Sequence, residues 1–521
     1  VIQTVRIFSL LAAVWVAFVT TDVRAQSPDS KVLAEKIDQH LSEVWNRAGI
    51  THASISDDAT YLRRAYLDLV GRIPTVAETQ DFLDDDSANK RAELVDELVA
   101  SGGYARHFAT VWRRIWVPQA DTQEFARLTP EFEAWAAVRL RDNVPYDRMV
   151  EELLLASRTS NGRTSQTPQP AVTPIGFQAA SLFRAENLAA NTTRAFLGLN
   201  LDCAQCHDHP FSRWTRDQFW ETAAFFSPPQ PTAENPRPIL EIKIPETERR
   251  LRPKLLDNRK PAFPEVIESS TGPKSLSDWI IEKENPYFAR NAVNRLWAQL
   301  FGRGLVEPLD DISDDNPSVL PGLHQELARA FVASNYDLKF LTKALVLTRA
   351  YQLSTVGNQD TPRPEELHLF ERMPVRGMTG EQLYDSMVIA AGLPTVRNDL
   401  LSSNEDNRRE QFAAQMHIER AVSAERSIVQ ALTLMNGEIS RDLTKPEKSP
   451  LLAAAADSPF LTSREKVDML FFAALNRRPT VAESDQMERY VTSGGEERPE
   501  RSGLADVLWV LLNSSEFSTN H

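Results

Sequence analysis

Apolar residues recur three and four positions apart along most of this chain, and that period limits its fold more than any other feature. An α-helix returns a side chain to the same face about every 3.6 residues, so the pattern marks amphipathic helices. It runs through residues 31–48, 58–70, 76–83, 88–100, 131–143 and 146–156. It continues through 191–202, 215–226, 275–283, 287–301, 322–333, 337–349, 379–391, 409–435, 464–475, 481–492 and 501–513. Strand-like alternation is confined to "PILEIKIP" (Pro238–Pro245), and 19 glycines in 521 residues leave few breaks. The expected fold class is mainly α. Two helical domains, 32–227 and 275–521, are expected on either side of a Pro-rich connector, 228–274, with room for a short β-hairpin. The polar stretches 157–176 and 395–408 read as surface loops.

Part of the chain repeats. "GRIPTVAETQDF" begins at Gly71 and "NRRPTVAESDQM" at Asn476, each after an apolar helical segment. Thr75 and Thr480 have Glu78 and Glu483 three residues on, the spacing of a capping box at a helix start. "LVASGGYARHF" (Leu98–Phe108) resembles "LLNSSEFSTNH" (Leu511–His521), and "LVLTRAYQLST" (Leu345–Thr355) is a weaker third copy. These echoes predict related helical modules at the two ends of the chain, packed near each other.

The first 25 residues read as a secretory signal peptide: Arg6, an apolar run from Ile7 to Val19, then Val23-Arg24-Ala25 as a small-x-small cleavage pattern. Export to the periplasm or the cell surface is the expectation, and no other stretch is a transmembrane candidate. The net charge of −14 argues against a nucleic-acid partner, whose phosphates are neutralised by Lys and Arg.

Export makes the cysteines informative. Exported domains commonly carry structural disulfides, yet the chain has 2 cysteines, both in "LDCAQCHDHPF" (Leu201–Phe211). Read as a helix running in from Thr192 or Thr193, the segment places Cys203, Cys206 and His207 on one face. Two thiols so placed reach the two vinyl groups of one haem edge, and the imidazole lies over the iron; hence C-x-x-C-H reads as c-type haem attachment. The ligating ring needs an acceptor for its other nitrogen, and a backbone carbonyl just after the motif would serve. Two other chemistries remain open. Zinc would take Cys203, Cys206 and one or both of His207 and His209. A disulfide would be either redox-active or a pin for the turn. The export signal and the lack of other cysteines favour haem.

A low-spin haem wants a second axial ligand; Met149, Met373, Met378, Met387, Met416, His107 and His417 are candidates that sequence does not separate. Trp214 and Phe219 follow the motif closely enough to line a haem pocket. Asn291, Asn294, Arg295, Arg303, Asp310 and Asp311 crowd "NPYFARNAVNRLWAQLFGRGLVEPLDDISDDNP" (Asn285–Pro317). No nucleophile or base pattern accompanies them. A structural network, with Arg295 and Arg303 satisfying Asp310, Asp311 and helix ends, is favoured over acid–base chemistry or a cation site. There is no P-loop, dinucleotide fingerprint, H-E-x-x-H or G-x-S-x-G.

Several blocks together resemble one family: "YLRRAYLDLVGRIPT", "NVPYDRMVEELL", "FLGLNLDCAQCHDHPF", "WTRDQFWETAAFF", "NPYFARNAVNRLWAQLFGRGLVEPLDD", "DLKFLTKALVLTRAYQLS", "MTGEQLYDSM" and "LLNSSEF". They look like the planctomycete secreted cytochrome-c-like domain followed by its partner domain of unknown function, over roughly residues 32–521. The resemblance implies that Cys203, Cys206 and His207 occupy the family's C-x-x-C-H position. The segment "VWRRIWVPQADTQEF" departs from the family's usual acidic wording there. The expectation is an exported protein with one covalent haem c, a one-electron or redox role and a redox or envelope protein partner. The alternative is a non-catalytic envelope or surface-interaction protein whose motif binds zinc or forms a disulfide.

Overall fold

The computed structural model describes residues 29–122, 125–156, 173–231, 237–357, 369–394, 403–416, 426–493 and 499–521. The signal segment and His417 lie outside them. The fold is mainly α-helical, with two small antiparallel strand pairs. One pair, Ile242–Lys243 with Arg250–Leu251, is the hairpin inside the Pro-rich stretch. The other joins Arg376–Gly377 to Thr519–Asn520. No described helix is long and apolar enough to cross a membrane.

Two hydrophobic cores organise the helices. The larger runs from Leu33 to Met373; the smaller takes residues from Met378 to Phe517, joined by Leu67 and Ile73. The expected domain line at 275 therefore passes through the larger core. Tyr146 stacks on Phe288 with ring centroids 5.2 Å apart, tying residues before the Pro-rich stretch to those after it. A helix that the periodicity missed, Gly102–Trp116, lies in this core. It opens on two glycines, Gly102 and Gly103. Ser101 caps it, and Gly103 is needed because a Cβ there would come 2.5 Å from Val70 Cγ1. The expected loop 395–408 is helical from Ser403 onward, in the helix Ser403–Gln415.

The sequence echo is a structural repeat, and it occurs three times. The helices Asp58–Leu69, Phe288–Phe301 and Ser463–Leu475 each end at a left-handed residue: Gly71 (φ 79°), Gly302 (φ 75°) and Asn476 (φ 58°). After each turn a glutamate accepts a backbone N–H: Thr75 N to Glu78 Oε2 at 2.7 Å, Gly304 N to Glu307 Oε1 at 2.8 Å, Thr480 N to Glu483 Oε2 at 2.7 Å. The helices Lys90–Ala100, Leu338–Val346 and Glu500–Leu512 then lead into one further turn. There Ser101, Thr348 and Ser514 each donate a hydroxyl hydrogen to a leucine carbonyl at 2.7 Å. Each also accepts the N–H of an aromatic three residues on, Tyr104, Tyr351 or Phe517, at 3.1–3.2 Å. All three aromatics are fully buried.

The three modules meet on the helix Asp58–Leu69, which is buried from Tyr61 to Leu69 without a break. A helix buried all round must satisfy its own charges, and this one does so with the other modules. Arg63 donates to Ala474 O (3.0 Å), Asn476 Oδ1 (2.8 Å) and Phe517 O (2.8 Å) in the third. Arg64 donates to Tyr351 O (2.5 Å) and Leu353 O (2.9 Å) in the second. Asp68 accepts from Tyr351 Oη and Arg376 Nη2, both at 2.7 Å, and from Asn520 Nδ2 at 2.8 Å. Burial lowers both guanidinium pKa values to about 10, so they stay charged at neutral pH.

Two predictions follow from this arrangement. Asp68→Ala leaves Arg376 buried and unpaired, and should cost about 3–5 kcal/mol, read by urea unfolding with tryptophan fluorescence and circular dichroism. A change under about 1 kcal/mol would show that the ion pair is not a junction. The second concerns His324. Its Nε2 faces Arg290 O at 2.9 Å, while its Nδ1 is buried without a partner. Burial lowers its pKa to about 4, below the roughly 6.5 of an unfolded histidine. The unfolded chain therefore takes up this proton first. Its stabilising contribution is present above about pH 6.5 and is lost as pH falls toward 4. His324→Gln should flatten that acid-side decline in the urea midpoint.

Candidate functional site

The sequence pattern runs one helix into the motif; the structure breaks it. The helix Ala185–Thr192 passes into a wider turn, Thr193–Leu197, and stops at Gly198 (φ 66°). Widening frees carbonyls from the regular ladder, and they need outside donors. Asn291 Nδ2 donates to Ala195 O at 2.8 Å, and Arg295 Nη2 to Arg194 O at 2.9 Å. Arg295 Nε also donates to Asn291 Oδ1 at 3.1 Å. Glycine is required at 198 twice over: φ is left-handed, and a Cβ would lie 2.8 Å from both Asn291 Oδ1 and Ile312 Cδ1. Leu199 forms a single antiparallel bridge with Asp311, through Ile312 N to Gly198 O at 2.9 Å.

The polar cluster is thus the seat of the motif's leading turn. Of the expected partners, Asp310, Asp311 and helix ends, Arg295 takes a helix end, the Arg194 carbonyl. Asn294 exchanges two hydrogen bonds with the backbone of Val306, at 3.0 and 2.9 Å. Asn316 donates to Glu307 O and Asp311 O. Asp310 and Asp311 are half-buried.

Beyond Gly198 the motif forms a short 3-10 turn, Asp202–Gln205, followed by Cys206. In such a turn residues three apart eclipse. Leu201 and Ala204 are buried, and Cys203 and Cys206 are both exposed with free thiols. The expected helical face is therefore absent; Cys203 stands within the turn and Cys206 directly after it, three residues apart and both exposed. Trp220, itself buried, donates its indole N–H to Gln205 O at 3.0 Å. The helix holding Trp220, Arg216–Ala223, starts with a Thr215–Gln218 capping box.

The two histidines differ. His207 Nδ1 lies 2.7 Å from Asp208 O. A carbonyl only accepts, so Nδ1 carries a proton, and in the neutral ring Nε2 keeps its lone pair. At His209 the partner is Phe211 N–H, 3.2 Å from Nδ1. A backbone N–H only donates, so Nδ1 keeps the lone pair and the neutral ring carries its proton on Nε2. His207 can offer Nε2 to a metal; His209 in this state cannot.

Around the motif, Trp214 and Phe219 are buried in the larger core. Arg213 covers the Trp214 ring at 5.0 Å and donates to Tyr287 Oη at 2.7 Å. Phe211 is 88% exposed, an unusual position for a large apolar ring. Met149 and Met373 sit in the larger core; Met378, Met387 and Met416 sit in the smaller. His107 lies on the Gly102–Trp116 helix, with burial lowering its pKa to about 4. Among the described residues no group of three or more His, Cys, Asp or Glu is placed to hold a metal ion. Sequence reasoning missed Asp208 and Trp220, which shape the loop. The T-x-x-Q spacing of Thr215 and Gln218 was the available signal for the helix start they attach to.

Residues 36–230 match the family model PSCyt2, described as a protein of unknown function (DUF1549). Residues 273–425 match PSD1, also described as a protein of unknown function (DUF1553). The chain carries these two domains in tandem. No curated protein and no solved structure matches it.

Exposure of both sulfurs has a direct test. Native reduced protein should titrate both thiols with a disulfide reagent at the rate of small-molecule thiols, before any unfolding. Reaction only in denaturant would place the turn elsewhere.

Proposed function

We propose that the turn Cys203–His207 is the attachment site for one c-type haem, and that the exported chain serves one-electron transfer with a redox or envelope protein partner. The supporting observation is the donor set: two free, exposed thiols three residues apart, one in a 3-10 turn and one at its end, followed by an imidazole with Nε2 unencumbered. Cys203 and Cys206 would hold the group through thioethers, and His207 would hold its iron. Once bound, haem supplies a one-electron iron couple.

The same donors suit zinc less well. A structural zinc wants four ligands, and His209 has its Nδ1 lone pair taken by Phe211 N–H. Haem asks the turn for one imidazole only. The chain's own contribution is then orientation. The Asp208 carbonyl holds the His207 ring, and Trp220 holds the turn at Gln205 O. Arg295 and Asn291 hold the segment leading into it. No haem ligand on the opposite side is assigned, because the methionine candidates are core residues.

The experiment is expression of the full chain with a c-type maturation system. A haem-stained band that survives denaturing electrophoresis, at one haem per chain, is expected. Cys203→Ser and Cys206→Ser should each lower covalent loading at least tenfold. A colourless protein with stoichiometric zinc, or one that forms only a Cys203–Cys206 disulfide under maturation conditions, would sink the proposal.

A further inference from the structure

The two histidines of the motif stand two residues apart, yet the loop gives them opposite hydrogen-bonding roles. This sorting follows from where the backbone is pinned. Asp208 Oδ1 accepts Arg216 N–H at 2.8 Å, the first N–H of the helix Arg216–Ala223. Its carboxylate therefore occupies a position that favours negative charge, at a helix start already fixed by the Thr215–Gln218 box. His209 N–H donates to Trp214 O at 2.8 Å, closing the other side of the loop. Held from both sides, the 208 peptide turns its carbonyl back onto His207 Nδ1.

We propose that Asp208 is a positioning residue: by anchoring its carboxylate on the Arg216 N–H it fixes its own carbonyl on His207, so that His207 presents Nε2 as the one ligating imidazole nitrogen, while the separate Phe211 N–H contact keeps His209 as an Nε2–H donor. The metal chemistry so selected is a centre that takes a single imidazole from this loop. That consequence rests on the haem proposal above; the tautomer sorting does not, since it belongs to the chain alone. Free imidazole side chains in water favour the Nε2–H tautomer. His209 thus sits in the common form, and His207 in the form that requires an acceptor at Nδ1.

The test uses the full chain, reduced and without haem, labelled with 15N in its imidazoles. His207→Gln and His209→Gln difference spectra assign the two rings. The expected result is His207 as Nδ1–H and His209 as Nε2–H. Asp208→Ala should lower the His207 ratio of Nδ1–H to Nε2–H about fivefold, the order set by one ordinary hydrogen bond, with His209 unchanged. Asp208→Asn keeps an acceptor for Arg216 N–H and should restore the original ratio. Three results would each overturn the proposal. The first is Nε2–H at His207 in the unaltered chain, and the second is no change with Asp208→Ala. The third is loss of both signatures together, which would reduce Asp208 to a general brace of the loop. Haem loading is scored separately. If the tautomers sort as stated and no haem attaches, the function proposed above fails and the role of Asp208 stands.

Discussion

The fold depends on how one buried helix satisfies its charges. Asp58–Leu69 carries Arg63, Arg64 and Asp68 into the interior, where unpaired charge is prohibitive. Each is answered from far along the chain: Arg63 by the turn at Asn476 and by Phe517, Arg64 by Tyr351 and Leu353, Asp68 by Tyr351, Arg376 and Asn520. Hydrophobic burial is non-directional and would allow the two cores to slide on each other. Guanidinium bonds to specific carbonyls do not, and they set the register of the three modules on the central helix.

The same device, a side chain closing a backbone gap far away in sequence, builds the motif. Asn291 and Arg295 reach back to the carbonyls of Ala195 and Arg194 from the second module's helix. Gly198 then lets the chain leave the wide turn and pair with Asp311. Position and exposure of the cysteines thus depend on residues that never touch them. The dense polar block after Asn285 is the buried half of this arrangement.

The legible part of the sequence was whatever local chemistry decides. The helices beginning at Val76 and Val481 were readable because Thr75 with Glu78, and Thr480 with Glu483, carry complete capping boxes. The opening turn of the second module was hidden because Gly304 and Glu307 close it without a threonine; only that module's closing stretch, Leu345–Thr355, showed as a weak copy. The helix Gly102–Trp116 was hidden by a glycine pair, of which Gly103 is kept for close packing on Val70. At the motif, the residue types and their spacing were plain, and the surrounding shape was not. A continuous helix through 191–202 is what periodicity dictates; the wide turn exists only because donors arrive from Asn291 and Arg295. The histidines could not be told apart by composition, because their difference lies in which backbone atom each ring meets.

The central helix also carries a consequence in time. Its partners include Phe517 and Asn520, more than 450 positions downstream by the separations of 454 and 452. Until those residues are available, Arg63 and Asp68 cannot be fully satisfied in a closed interior. Contacts of such separation close late, after the entropy of a very long loop has been overcome. The nascent chain therefore has no complete native state to settle into while it is being made. A chain made only as far as the second module leaves Arg63 and Asp68 without these two partners, Phe517 and Asn520.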